Sequence, residues 1–323
     1  MFSVLGSDPA LAAKLRRIER TQALTILNLH RVSSDASSIF EALPPALFDE
    51  LLAWAKAHFA ITTCAGAAAS EDTDKPRLIL SFDDGYKDFI KTVMPILDRH
   101  KIRANQNIIP GAVERGEPPI NVLVQDFIAQ APASLLREVR LPGVSFQIDP
   151  ENRFQAATAV SALYKNRPMR EQHPLREQLD AALGKVSGFR PTPMMTVDEV
   201  REAARHHEVG AHAFEHASMA FETNDYLADD ARRCRVWFHQ QLGISPDVYA
   251  LPNGSYRPGQ PQIVRDAGYN HVLLVGDDFS SPRATVHKRF TARGRSLAEA
   301  KFRASGGFVR PQDPAEAVIG DRA

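Results

Sequence analysis

The sequence predicts an α/β fold built on a parallel sheet, and three observations carry that prediction. Short apolar runs with strand character alternate with amphipathic helical patterns. Several of the runs end on polar residues beside a turn signal, the place where parallel folds collect their chemistry. The alternation yields six or seven strands, fewer than the eight of a complete (β/α) barrel.

Taken in order, residues 1–22 carry Lys14, Arg16, Arg17, Glu19 and Arg20 where an apolar leader core would sit, and so read as a short helix. Residues 24–29 form a first strand ending at His30 and Arg31. Residues 45–59 place Phe48, Leu51, Leu52, Ala55 and Phe59 at helical spacing. Residues 77–82 are a strand that runs into Asp-Asp-Gly, followed by a helix over 88–100 and a strand over 104–109. From about 112 to 193 the rhythm breaks. That stretch holds helical patterns at 122–129, 155–164 and 174–186 with little strand signal, and it reads as a helical insertion on the loop side of a single domain spanning 1–323.

Regular alternation then resumes. Thr196 and Glu199 form a capping box that opens a helix to about 206, and 208–211 is a short strand ending at His212. A long helix over 225–242 stops at Gly243, and a strand over 248–251 precedes Pro252-Asn253-Gly254. A helix over 260–267 and strands over 271–275 and 285–290 complete the set. From about 304 onward Gly, Pro and charge dominate, which predicts a loosely ordered tail.

Composition narrows the function classes. Lys plus Arg and Asp plus Glu both number 39, so there is no net charge to favour a nucleic-acid partner. No apolar run is long enough to span a membrane. Two cysteines far apart imply no disulfide framework, and a cytoplasmic location is expected.

Three motifs carry candidate chemistry. In the first, Asp83 and Asp84 follow a buried strand, and Gly85 permits the turn that both carboxylates need to face one cleft. Alone, the same residues would serve equally as a helix cap and turn. In the second, His212 and His216 lie four apart after a strand, a spacing that presents two imidazoles on one side of a helical turn. With Asp84 they supply two nitrogens and one oxygen and leave positions open for water and substrate. In the third, Pro252-Asn253-Gly254 forms a tight turn whose amides can point into a cleft near an oxyanion. Tyr86, just after Gly85, is a candidate cleft residue.

In this order the motifs resemble the polysaccharide deacetylase family, also called NodB homology or carbohydrate esterase 4. Ser81 to Gly85 match its Thr-Phe-Asp-Asp-Gly, His212 and His216 its His-Ser/Thr-x-x-His, and Pro252 with Gly254 its third motif. Asn28-Leu29-His30-Arg31-Val32 looks like the Tyr-His-Arg-Val start of bacterial exopolysaccharide and lipopolysaccharide members. The resemblance implies an incomplete (β/α)7 barrel and removal of an N-acetyl group from an amino sugar in surface-polysaccharide synthesis or modification. It implies Asp84, His212 and His216 as ligands of a divalent metal ion, chiefly zinc, and Asp83 as general base. The substrate would be a saccharide or activated sugar.

The sequence also departs from that pattern. Ala213 replaces the Ser/Thr after the first histidine, and Ala250 stands where many relatives place an Arg that braces the base. Arg289, on a late strand, is the candidate replacement. The late Leu-x-His that often supplies the acid is missing, which leaves His287 and His30 as candidates. Residues 104–107, Ala-Asn-Gln-Asn, are more polar than usual on that strand. Two alternatives accompany the leading reading: hydrolysis of another small amide or imide, and a catalytically inactive carbohydrate-binding barrel.

Overall fold

The computed structural model describes residues 6, 8–35, 38–69, 74–139, 141, 143–292, 294 and 296–309. Helix α1 (Asp8–Thr21) leads into strand β1 (Thr25–Leu29). Seven more strands follow: β2 (Ala60–Thr62), β3 (Arg77–Phe82), β4 (Asn105–Ile108), β5 (Glu208–Ala211), β6 (Val248–Ala250), β7 (His271–Val275) and β8 (Val286–Thr291). Parallel pairing runs β1–β3–β4–β5–β6–β7–β8 and returns to β1, so seven strands close a ring. This is the expected (β/α)7 barrel, with β2 as one extra strand. Strand β2 takes the N-terminal half of β3's outer edge, at Arg77 to Ile79, and β4 takes its C-terminal end at Ser81 and Phe82.

The barrel interior is a small apolar core of Leu24, Ile26, Ile79, Val248, Ala250 and Leu273. Helix α3 (Cys64–Ala69) closes its N-terminal end and adds Cys64 and Ala67 to that core. The first amides of this helix, at Cys64 and Ala65, donate to the Glu208 carboxylate at 3.0 and 2.9 Å, which satisfies donors that a short helix leaves open. Outside the ring, helices bury one stripe each. In α2 (Pro45–His58), Pro45 sits at the first helical position, where its missing N–H costs nothing, and Phe48, Leu51, Leu52 and Ala55 face the sheet.

Between β4 and β5 lie α5 (Pro110–Arg115), α6 (Ile120–Gln130), α7 (Ala133–Glu138), α8 (Arg153–Lys165) and α9 (Met169–Leu183). Leu123, Phe127, Val160, Tyr164 and Leu179 give this segment a hydrophobic core of its own. The chain then continues through α10 (Val197–His206), α11 (Asn224–Leu242), α12 (Gln260–Asp266) and α13 (Leu297–Ala304). The Thr196 capping box is present, with both reciprocal hydrogen bonds.

Some boundaries differ from the sequence reading for local reasons. The helix expected over 88–100 is a π turn (Phe89–Val93) that passes into α4 (Met94–His100). Pro95 has no N–H to bond four residues back, and the chain widens just before it. Helix α9 begins at Met169 rather than at Pro174, which lies inside it. Of the tail expected from about 304, residues 305–309 fold back, with Gly307 N–H on the Phe302 carbonyl at 2.9 Å. Residues 310–323 lie outside the described residues.

Candidate active site

The site lies at the C-terminal ends of the barrel strands, around a cavity of about 350 Å³. Asp83 leaves β3 with its N–H on the Leu29 carbonyl of β1 at 2.9 Å. Asp84 follows at φ 77° and Gly85 at φ 86°, a left-handed pair that turns both carboxylates toward the cavity. An Asp in that region is strained, and such strain collects at functional sites.

The Asp83 carboxylate is clamped from two strands. Arg289 of β8 donates to it twice, Nη1 to Oδ1 at 2.8 Å and Nη2 to Oδ2 at 2.8 Å. Asn107 of β4 donates from Nδ2 to Oδ1 at 2.8 Å. Ser81 links both partners, accepting from Arg289 at 3.0 Å and from Asn107 at 3.1 Å. Burial would raise the Asp83 pKa, but the Arg289 charge and the nearby His212 outweigh it and bring it down to about 2. Gly210 makes room for this arrangement, because a Cβ there would meet Asn107 Oδ1 at 2.5 Å.

Asp84 faces the two histidines. Its Oδ1 lies 3.3 Å from His212 Nε2 and 3.4 Å from His216 Nε2. His212 Nδ1 bonds the Ala250 carbonyl at 2.8 Å, so Nδ1 carries the hydrogen and Nε2 presents its lone pair. One ligand atom from each of the three residues lies within 4.8 Å of the others. Burial raises the Asp84 pKa, but His216 and His212 lower it far more. Burial dominates at His216, whose pKa falls to about 3, whereas at His212 the two carboxylates outweigh burial and the pKa rises.

The histidines do not share a helical turn, as the spacing predicted. They flank a loop in which Ala213 (φ 55°) and His216 (φ 59°) are both left-handed. Two bonds to Phe214 hold that loop: its N–H donates to Asp230 Oδ2 at 3.0 Å, and its carbonyl accepts from Gly111 N–H at 2.9 Å. Asp230 is buried and also accepts from the Tyr249 hydroxyl at 2.6 Å.

Two further assignments need correction. His287 does not reach the cavity. It is paired in register with Leu273, two residues short of Arg289, so it points inward one layer below the site and contacts His271 at 3.2 Å. Tyr86 is 1% exposed and does not line the cavity. Past the Gly85 turn its backbone bridges Met194, and its ring packs against Phe40 and under the Arg31 guanidinium. Its hydroxyl has no hydrogen-bond partner among the described residues, and burial together with the Asp84 charge raises its pKa well above the ordinary value.

His30 does line the cavity, edge-on to Phe40, and burial lowers its pKa. Asn253, at φ 60°, also lines the cavity while its side-chain amide donates to Ser218 at 3.0 Å. Asn107, which bonds Asp83, and Lys165, which lines the cavity, were not read from the sequence as site residues. Asn107 had a visible signal in the polar residues of a buried strand, but Lys165, the last residue of α8, had none.

A parallel barrel that carries a buried carboxylate–imidazole cluster with a clamped acid beside it defines a hydrolase-type site. The polysaccharide deacetylase family profile matches residues 70–272, and the chain belongs to that family. Solved structures share the fold. The Streptococcus pyogenes deacetylase PplD, in complex with acetate, is 14% identical, with a TM-score of 0.58 over 88% of this chain and 98% of that one. IcaB from Ammonifex degensii is 16% identical, with a TM-score of 0.56 over 88% and 97%. The BpsB deacetylase domain from Bordetella bronchiseptica is 14% identical, with a TM-score of 0.51 over 83% and 95%. Comparison with curated protein sequences gives no match.

Proposed function

We propose that the chain is a metal-dependent N-deacetylase of an amino sugar in surface-polysaccharide synthesis or modification. One observation carries the reading. Among the described residues Asp84 Oδ1 is buried with no hydrogen-bond donor, yet it faces two imidazole nitrogens at 3.3 and 3.4 Å. A buried, unpartnered carboxylate oxygen is costly, and a cation shared with His212 and His216 removes that cost. The residues therefore fit a divalent ion, and two nitrogens with one oxygen suit zinc.

Such an ion, when bound, polarises the acetamide carbonyl and brings the pKa of a water close to ~7. Asp83 is the proton acceptor. Its Arg289 and Asn107 bonds fix its direction and keep it ionised at neutral pH, while His212 Nε2 lies 3.7 Å from its Oδ2. His30 lies in the same cavity and is positioned to give a proton to the departing amine.

The test combines metal analysis of purified protein with acetate release from N-acetyl sugars, for wild type and Asp83→Asn. The variant should keep its metal and lose about 10²–10⁴-fold in turnover, the range of general-base catalysis. A binding barrel would release no acetate in either form. A hydrolase of other amides would turn over small cyclic amides instead.

A further inference from the structure

The loop between His212 and His216 is braced from outside. Ala213 offers no side chain to bond it, and Ala213 and His216 both hold left-handed backbone, which persists only where the surroundings impose it. Zinc tolerates only about 0.2 Å of error in its ligand distances, so the loop has to be held closely. His212 is placed by its neighbours in the barrel, with its N–H on the Ile108 carbonyl and its Nδ1 on the Ala250 carbonyl, each at 2.8 Å. His216, two residues beyond Phe214, takes its position from the way Phe214 is held.

Helix α11 holds it. Arg233 and Cys234 lie three and four residues on from Asp230, so all three share one helical face. Asp230 Oδ2 accepts the Phe214 N–H at 3.0 Å, and the Arg233 guanidinium lies 3.4 Å from the centre of the Phe214 ring. The other carboxylate oxygen is occupied: Asp230 Oδ1 accepts from the Tyr249 hydroxyl at 2.6 Å and from Cys234 Sγ at 3.7 Å. The carboxylate therefore cannot swing off the loop without breaking both bonds. Tyr249 also precedes Ala250, the residue that holds His212. Both histidines are thus referred to adjacent residues of β6, His212 directly and His216 through Tyr249, Asp230 and Phe214. On the opposite side Gly111 donates to the Phe214 carbonyl at 2.9 Å, and a Cβ at Gly111 would meet that oxygen at 2.8 Å, so α5 leaves the loop little room to shift.

On the metal-dependent reading above, we infer that Asp230 is a positioning residue for the metal site: its bond to the Phe214 amide sets where His216 points, and so sets the affinity of the site for its ion. Asp230 acts through Phe214 and is not itself a ligand.

Calorimetric titration of metal-free protein with zinc tests this for wild type, Asp230→Ala and Asp230→Asn, with urea unfolding of the metal-free forms alongside. Asp230→Ala should bind zinc about 10–100-fold more weakly, the loss typical of removing a partner that orients a ligand. Asp230→Asn keeps an acceptor for the Phe214 amide and should stay within about threefold of wild type. A purely structural role would lower the unfolding free energy and leave the zinc affinity of the folded protein unchanged, so equal affinity in all three forms overturns the inference. An equal loss in Asp230→Asn and Asp230→Ala overturns it too. Should Asp230→Ala fail to fold, Arg233→Ala tests the same grip through a side chain that is 57% exposed. Losing the ring contact should weaken zinc about two- to fivefold, and unchanged affinity there overturns the inference. If wild type takes up no zinc, the metal-dependent reading falls and this inference with it, whereas uptake that ignores the substitutions removes the inference alone.

Discussion

Arg289 grips Asp83 through two parallel hydrogen bonds of 2.8 Å, joining strands 206 residues apart in the chain. Both side chains are buried, so neither charge has water to fall back on. Removing one partner of such a pair typically costs about 3–5 kcal/mol, because the other is left uncompensated. Arg289→Ala should therefore lower both the unfolding free energy and turnover. Arg289→Lys keeps the charge but loses the fork, and should recover stability more than activity. Urea unfolding alongside acetate release separates the two effects.

Asp84 gives a second expectation. Without metal, Asp84→Asn should be at least as stable as wild type, since it removes a buried charge and Asn tolerates the φ of 77°. Adding zinc should stabilise wild type by about 2.7 kcal/mol at a hundredfold excess over Kd, and should do little for the variant. Thermal melts with and without chelator show whether the increment depends on this oxygen.

The two candidate acids separate cleanly. His287→Asn should leave turnover and its pH profile close to wild type, because the residue lies a layer below the cavity. His30→Asn should lower turnover by about 10²-fold and change the alkaline side of the profile. Equal losses in the two variants would contradict the placement of both.

Asp230 predicts a pH effect on stability. Burial raises its pKa from 3.8 to about 6. Between those values the folded chain keeps a proton that the unfolded chain has released. The stability owed to Asp230 is therefore complete below about pH 4 and falls as pH rises to about 6, by on the order of 2–3 kcal/mol. Asp230→Asn retains an acceptor for the Phe214 amide and should lack that slope. The difference in unfolding free energy between wild type and variant, measured from pH 4 to 7, should shrink in the variant's favour as pH rises.

Strands such as Arg77–Phe82 and His271–Val275 were legible as buried apolar runs, and with Glu208–Ala211 they have the bounds read from sequence. Strand β2 was not, since Ala60–Thr62 is too short to show a period. Asp83, Asp84, His212 and His216 stood out because each costs free energy unless it is used. The arginine beside Asp83 was harder to place: it comes from the last strand, and only the ring closure sets β8 beside β1, one strand away from β3. Lys165 was invisible, as a lysine ending a helix normally complements its dipole in solvent.

Closure of the ring has a practical corollary for anyone isolating the recognisable region. A fragment cut to residues 70–272 would lose β1, β2 and β8 and all but the first two residues of β7, along with the guanidinium that neutralises Asp83. Raw strand edges, on β3 and β6, would then be open to pairing with other molecules. Such a piece should aggregate rather than act as a minimal enzyme, because the closed ring extends beyond the family match at both ends.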